Sequence, residues 1–340
     1  LEIQRMSLKH QAKQMEKSAT RRKKISPLEK EEKQSAIPFS LAIHGGAGDY
    51  DSKTLTASLR RKKEEALYQA LEAGHQILQN GGCSLDAVQA AVVVLEDSEF
   101  FNAGRGAVLT KDQTVELDAS IMSCDFRAGA VGGVKEIKNP ILAARQVMEH
   151  TSHVLLIGKA ADQFAFQQGL EKVPNTYFIT EKRLRAWQKA VDSEKKENRK
   201  KYIEKQQLGT VGAVAIDQAG CLAAATSTGG INYKMAGRVG DSALIGAGNY
   251  ATPYCAVSCT GQGEMFIRKS VASFVCCLVR LGVPLEEAAF RAIFEELSSI
   301  GGKGGLIAIN HLGQCVMPFN TWAMSRGYWQ AGGSPLVYLE

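Results

Sequence analysis

The stretch Gly209-Thr210-Val211-Gly212-Ala213-Val214-Ala215, followed by Ser227-Thr228-Gly229-Gly230 and Gly237-Arg238-Val239-Gly240-Asp241, decides how this chain is read. Two runs, Val211 to Asp217 and Cys221 to Thr228, alternate β-branched or apolar residues with alanine. That pattern predicts two strands, and the turn ending at Gly220 joins them. Thr210 opens the first strand and Thr228 closes the second. Arg238 and Asp241 follow in a glycine-rich loop. The order suggests a hydroxyl nucleophile beside a site for a zwitterion.

A threonine hydroxyl is a weak nucleophile and needs a base. The six histidines, His10, His44, His75, His150, His153 and His311, all lie outside this stretch. Cutting the chain before Thr210 would supply a base without one. The new α-amino group titrates at about 7.7–8.0 and sits beside the hydroxyl it would activate. Gly209 suits such a cut, because glycine tolerates the strained backbone that attack on the preceding carbonyl requires. Read alone, Gly209-Thr210 is more often the plain start of a strand, and Arg238 with Asp241 an ordinary ion pair.

Other blocks occur in a fixed order: His44-Gly45-Gly46-Ala47-Gly48, Asn102-Ala103-Gly104-Arg105-Gly106, Leu117-Asp118-Ala119-Ser120, Gly129-Ala130-Val131-Gly132-Gly133 and Thr260-Gly261-Gln262-Gly263-Glu264. Gly304-Gly305-Leu306-Ile307 and Pro318-Phe319-Asn320-Thr321 complete the set. Over about residues 40–330 the chain resembles the plant-type L-asparaginase/isoaspartyl peptidase (β-aspartyl peptidase) family of N-terminal-nucleophile hydrolases. The resemblance implies an α+β fold, a four-layer αββα sandwich of two stacked, mostly antiparallel sheets flanked by helices. It implies autoproteolysis between Gly209 and Thr210. Residues 37–209 would form an α subunit and 210–340 a β subunit of one domain.

Carried onto these positions, the resemblance makes Thr210 the nucleophile that attacks a side-chain amide carbonyl. Thr228 would orient it, and Thr260 with Gly261 would form the oxyanion hole. Arg238 would grip the substrate α-carboxylate, Asp241 the α-ammonium, and Gly263 would add a backbone contact. Asn102, Gly45 and Gly46 would shape the site before cleavage. The backbone carbonyls of Leu95, Glu96, Ser98, Phe101, Ala103 and Arg105 would hold a structural Na+; catalysis would need no cofactor. L-Asparagine and β-aspartyl dipeptides both fit such a site. Met235-Ala236 and Trp322-Ala323 depart from the family's usual residues, where leaving-group preference could be set. The cleaved α/β units are expected to pair, giving a heterotetramer.

Composition narrows the other possibilities. The chain is 45% hydrophobic and 22% charged, ordinary for a globule with a real core. No run of 18 apolar residues occurs, so no membrane span is expected, and no apolar signal segment is visible. The net charge of +6 is concentrated. Residues 1–36 hold ten Lys/Arg against five Glu, and 171–209 hold eleven Lys/Arg against six Asp/Glu, so the rest is net negative. Residues 1–36 read as a basic, disordered extension and 171–209 as an exposed, mobile, partly helical linker. Neither carries a nucleic-acid motif. The eight cysteines show no zinc spacing and read as reduced, mostly buried thiols. With no N-glycosylation sequon, this points to the cytoplasm.

Periodicity predicts helices over about 56–79, from Ser84 as N-cap, from Asn139-Pro140 to about His150, over about 159–169 and 261–281, and from Pro284 to about Ser299. Strands are expected near Phe39–Ile43, Ala107–Thr110, Val115–Met122, Gly129–Val134, Val154–Ile157, Ala243–Ala247, Tyr254–Cys259, Leu306–Ile309 and Cys315–Met317. Four other functional readings compete with this one. A threonine aspartase-like endopeptidase would suit the long basic linker. Glycosylasparaginase fits the N-terminus and Ser227–Gly230 less well. Gly246-x-Gly248-x-x-Ala251 superficially fits a dinucleotide fingerprint, but Pro253 argues against the helix it needs. An uncleaved, non-enzymatic scaffold is the remaining alternative.

Overall fold

Alternation along the central hairpin sorts its side chains into two layers. In β5 (Val211–Ile216) and β6 (Leu222–Thr228), Val211, Ala213, Ala215, Ala223 and Ala225 face one apolar cluster. Val214, Ile216, Leu222 and Ala224 face another. The two-residue period dictates this division. The computed structural model describes residues 39–48, 55–195 and 209–340. These fall in one unit, Ile37–Glu340. The expected extension 1–36 and positions 196–208 lie outside the described residues.

The hairpin sits inside an eight-stranded sheet with the order β12-β11-β1-β5-β6-β2-β3-β4. Here β1 is Ser40–Gly48, β2 Leu117–Ser123, β3 Ala128–Val134, β4 Leu155–Ile157, β11 Ala323–Gln330 and β12 Leu336–Tyr338. A second sheet runs β10-β9-β8-β7, with β7 Asn249–Ala251, β8 Cys255–Gly261, β9 Gly304–Asn310 and β10 Cys315–Val316. Among these strands every pairing is antiparallel except β3 with β4.

Helices α1 (Ala57–Gln79), α2 (Ser84–Asp97) and α3 (Pro140–His150) bury apolar stripes on the outer face of the large sheet. Helix α4 (Gly158–Gln167) adds Ala161 and Ala165 to the same cluster. Small residues in β5 and β6 let the helices approach closely. Helices α6 (Gly263–Lys269), α7 (Val271–Arg280) and α8 (Leu285–Phe290) cover the small sheet, with Arg291–Leu297 continuing as a π-helix. A third cluster, including Ala42, Val214, Ile216, Leu222, Ala256, Ile307 and Ile309, lies between the sheets. The architecture is the expected αββα sandwich.

Several local expectations are corrected. Ser84 is not the N-cap of α2; Cys83 is, and the Ser84 amide donates instead to Asp217 Oδ2 at 2.9 Å. The helix expected over 261–281 breaks at Ser270, whose backbone is left-handed (φ 48°). Ala243–Ala247 is no strand; a short 3-10 turn, Asp241–Ala243, precedes it. Gly246–Ala251 runs into β7 and opens no helix, so it does not form a dinucleotide fingerprint. The final strands β11 and β12 were not anticipated.

The segment expected as an exposed linker is docked over its first part. Helix α5 (Glu181–Lys195) buries Arg183 and Ala190, and a 3-10 turn before it buries Phe178. Arg183 Nε donates to Gly106 O, Trp187 Nε1 to Thr110 O at 2.9 Å, and Asn232 Nδ2 to Ala186 O at 3.1 Å. The sparse apolar residues of this segment concealed its packing. The cysteines are corrected too: Cys124 and Cys221 form a disulfide. Strands β2 and β6 are neighbours, and their ladder brings the two Cα atoms to 5.8 Å, a separation that disulfides span.

The sheets approach closely where β5 faces β8. A Cβ added at Gly212 would lie 2.0 Å from Ser258 Oγ, 2.5 Å from His44 Nε2 and 2.9 Å from Ala225 O. Gly212→Ala is therefore expected to cost about 1–3 kcal/mol or more by overpacking. A lowered denaturation midpoint would bear this out; an unchanged one would mean the sheets separate freely here.

Candidate active site

At one end of the inter-sheet layer the same strands that bury Val214, Leu222 and Ala256 present polar residues. Thr210 continues the Gly212–Val214 face of β5, Thr226 and Thr228 the Leu222–Ala224 face of β6, and Ser258 and Thr260 the Ala256 face of β8. All five are buried. Buried polar groups need partners, and here they find one another.

Thr210 Oγ1 donates to Thr228 Oγ1 at 3.3 Å. Thr228 Oγ1 donates in turn to Gly209 O at 3.1 Å and accepts from Gly230 N at 2.9 Å. One donor and two acceptor positions are thus all used. Gly209 O receives a second donor, Asn102 Nδ2, at 2.8 Å. The Asn102 amide is fully engaged: Nδ2 also reaches Gly230 O at 2.6 Å, and Oδ1 accepts from Val108 N at 2.9 Å. Gly46, with φ +110°, passes so close that a Cβ there would lie 2.9 Å from Gly209 Cα. Gly45 has no more room, since its Cβ would meet Phe101 at 2.5 Å. These contacts explain the glycine pair after His44.

His44 lies under Thr210. Its Nδ1 is 2.9 Å from Thr210 O and its Nε2 2.8 Å from Ser258 Oγ, which is 2.7 Å from Thr226 Oγ1. A carbonyl can only accept, so Nδ1 carries the proton and Nε2 accepts from Ser258. Burial pushes the imidazole down to about 4, against the raising effect of the Thr210 carbonyl. His44 therefore stays neutral near pH 7. Further along β8, Thr260 Oγ1 accepts from Ala47 N at 3.0 Å, beside the Gly46–Gly209 contact. Gly261 pairs with Gly304 of β9 at the edge of the same end.

The loop after β6 returns to this end. A Cβ on Gly230 would lie 3.0 Å from Arg238 Nη1, and one on Gly263 would lie 2.7 Å from both Arg238 Nη2 and Asp241 Oδ1. The structure thus gathers Thr210, Thr228, Thr260, Gly261, Gly263, Arg238, Asp241, Asn102 and Gly209 at one end of the sandwich. Asp241 is buried, and its Oδ2 has no hydrogen-bond partner among the described residues. Burial raises its carboxyl to about 7, although Arg238 pulls the other way. An unpartnered buried carboxylate oxygen beside a guanidinium can take a cation and an anion of one ligand together.

Sequence reasoning missed the residues that brace this loop. Glu264 holds Arg238 bidentately, Oε1 on Nε and Oε2 on Nη2, each at 3.0 Å. Asp118 accepts from Gly240 N at 3.0 Å and from Gly133 N at 2.9 Å, and Glu116 Oε2 accepts from Gly237 N at 2.8 Å. Asp118 and Glu264 stood within quoted blocks, but separations of 15 to 122 residues leave no periodic signal.

The stretch from Leu95 to Arg105, expected as a loop, was the expected cation site; its first three residues are instead the last turn of α2. Glu96 O accepts from Arg105 N at 2.7 Å. Asn102 O and Gly104 O take Gly229 N and Ala107 N. Among the described residues no hydrogen bond ends on the carbonyls of Ser98, Phe101, Ala103 or Arg105. Alternate carbonyls thus tie the loop down while the others keep their lone pairs. Such uncharged oxygens suit a hard cation, so these residues fit the group. No cluster of His, Cys, Asp and Glu able to hold a metal occurs among the described residues.

The chain matches the family described as Asparaginase over residues 37–339. It is 47% identical over 308 residues to an isoaspartyl peptidase of Escherichia coli (strain K12), covering 88% of this chain and 96% of that protein. It is 44% identical over 308 residues to an isoaspartyl peptidase of Salmonella typhimurium, covering 88% and 98%. An isoaspartyl peptidase/L-asparaginase of Mus musculus is 42% identical over 304 residues, covering 87% and 91%. Among the described residues, no helix is long and apolar enough to cross a membrane.

The neutral His44 has a measurable consequence. Its folded pKa of about 4 lies below the ordinary 6.5, so the unfolded chain takes up the proton first as pH falls. The stability it contributes is full above 6.5 and is lost towards 4, by up to about 3 kcal/mol. Relative to His44→Gln, which does not titrate, the wild type is expected to lose its advantage over that window in urea denaturation. A constant gap would show that His44 titrates normally.

Proposed function

The chain belongs to the asparaginase family, and from that premise we propose that it cuts itself between Gly209 and Thr210 and then hydrolyses β-aspartyl amide bonds. Its substrates are L-asparagine and dipeptides with an N-terminal β-aspartyl residue. The observation that carries this reading is the scissile carbonyl. Gly209 O has two donors, Asn102 Nδ2 and Thr228 Oγ1, while Thr210 Oγ1 is hydrogen-bonded to Thr228. The names of the relatives support the substrate class.

In the self-cut, Thr210 Oγ attacks the Gly209 carbonyl carbon. Charge grows on Gly209 O, where Asn102 and Thr228 stabilise it; one such donor is worth about 3–4 kcal/mol in the barrier. The Thr228 hydroxyl also lies on the path by which the Thr210 proton leaves. The C–N bond breaks, the nitrogen takes up the proton, and Gly209 is left as an ester on Thr210. Water then hydrolyses the ester, freeing the Gly209 carboxylate, the Thr210 hydroxyl and the Thr210 amine.

That amine is the base for turnover. Arg238, with Nε and Nη2 held by Glu264, offers Nη1 to the substrate α-carboxylate. Asp241 pairs its open Oδ2 with the α-ammonium. Thr210 Oγ attacks the side-chain carbonyl, and the Thr260 hydroxyl and Gly261 amide receive the oxyanion. The amine passes its proton to the leaving group, which departs as ammonia or an amino acid. Water, deprotonated by the same amine, releases aspartate. The loop carbonyls from Leu95 to Arg105 would hold Na+, which would stiffen the turn carrying Asn102. The docking of α5 removes part of the exposed linker that favoured an endopeptidase reading.

Intact mass of purified protein, after reduction, is expected to show fragments 1–209 and 210–340, with Thr210→Ala staying whole and inactive. An uncut, active wild type would overturn the mechanism. Asp241 binds an ammonium only when ionised, and its carboxyl lies near 7 in the free site. KM for a β-aspartyl dipeptide is therefore expected to climb as pH falls below about 7, approaching tenfold per unit. Asp241→Asn should raise KM at pH 8 and flatten that dependence. A KM with the same pH dependence in both proteins would remove Asp241 from ammonium binding.

A further inference from the structure

We propose that the Cys124–Cys221 disulfide is a covalent tether between the two fragments of the processed protein. The proposal rests on the self-cut at Gly209-Thr210 and concerns what happens to the chain afterwards. Cys124 belongs to fragment 1–209 and Cys221 to fragment 210–340. The two are 97 residues apart in sequence, and the cut falls within that span.

The bridge is built into the fold. Strand β2 pairs with β6 from Asp118↔Thr228 to Ser123↔Ala223. The Cys124 amide extends this ladder by donating to Leu222 O at 2.8 Å. The site residues Asp118 and Thr228 stand at one end of the ladder, and the disulfide closes the other. Both cysteines are half-buried, at the ends of turns. The remaining six, Cys83, Cys255, Cys259, Cys276, Cys277 and Cys315, are free thiols.

Scission changes what the bond does. In the uncut chain it closes a loop and restricts the unfolded ensemble. In the cut protein the loop is open, and the same bond joins two chains. The folded fragments are already interlocked, because β1 of the first lies between β5 and β11 of the second. The tether therefore acts on unfolding and refolding. With it, the two chains remain one molecule at a fixed effective concentration; without it, unfolded fragments separate and recovery depends on concentration. Formation transfers two electrons and two protons from the two thiols to a small disulfide such as oxidised glutathione, which leaves as two thiols. A dithiol reductant reverses the step.

The test uses processed protein purified without reductant, with its free thiols alkylated before denaturation. Intact mass and a non-reducing gel are expected to show one species at the 36.8 kDa of the whole chain plus one water and the alkyl groups added, less the two hydrogens of the bridge. Dithiothreitol should split it into fragments 1–209 and 210–340. Cys124→Ser, or Cys221→Ala should the first fold poorly, should give separate fragments without reductant. Over about a hundredfold dilution, refolded activity should hold for wild type and fall at least several-fold for the serine variant. Separate fragments from wild type without reductant, with alkyl groups on Cys124 and Cys221, would overturn the tether and leave the cut intact. A single species that dithiothreitol cannot split would overturn the cut, and the tether with it.

Discussion

One carbonyl oxygen, that of Gly209, sets the requirements for everything around it. It is held by the Asn102 amide at 2.8 Å and the Thr228 hydroxyl at 3.1 Å. Neither donor has freedom to spare. Asn102 also ties Gly230 O and Val108 N, and Thr228 also serves Thr210 and Gly230. The loop before β2, the start of β5 and the end of β6 are therefore fixed relative to one another by two side chains. The glycines at 45 and 46 are needed because no other residue leaves room beside that carbonyl and beside Phe101.

The wider site follows from where polar residues fall on strands whose faces are otherwise apolar. Thr210, Thr226, Thr228, Ser258 and Thr260 occupy the positions that valine, leucine and alanine fill elsewhere between the sheets. Their hydrogen bonds to one another, to His44 and, from Thr260, to the Ala47 amide offset the cost of burying them. Around this rigid patch, carboxylates do the bracing. Asp118 and Glu116 hold backbone amides of the Gly237–Gly240 loop, and Glu264 fixes the Arg238 fork. Asp241, by contrast, keeps an open, buried oxygen.

Much of this was legible in order and spacing. The hairpin and the outer helices declared themselves by period, and the ordered blocks placed Thr210, Thr228, Arg238 and Asp241 in one neighbourhood. Legibility failed where the partner was distant. The cap of α2 comes from Asp217, not from Ser84. The disulfide depends on two strands becoming neighbours, which no cysteine spacing encodes. Helix α5 was misjudged because its docking runs through Arg183, Trp187 and backbone carbonyls instead of a continuous apolar stripe. Strand β11 mixes Arg326 and Gly327 with aromatics, and so shows no clean alternation.

The position of β1 carries an implication for timing. Its sheet neighbours are β5 and β11, with Ser40 opposite Ile216 and Gln330. A chain made from its N-terminus must hold this apolar strand without β5 until residue 216 has been synthesised, and without β11 until residue 330 of 340. Contacts of such sequence separation form slowly and late. His44, Gly45 and Gly46 lie on that same strand, so the geometry at Gly209 cannot be completed before β5 and β6 are made. The order of synthesis itself thus leaves one edge of β1 open until β11 arrives to close the large sheet.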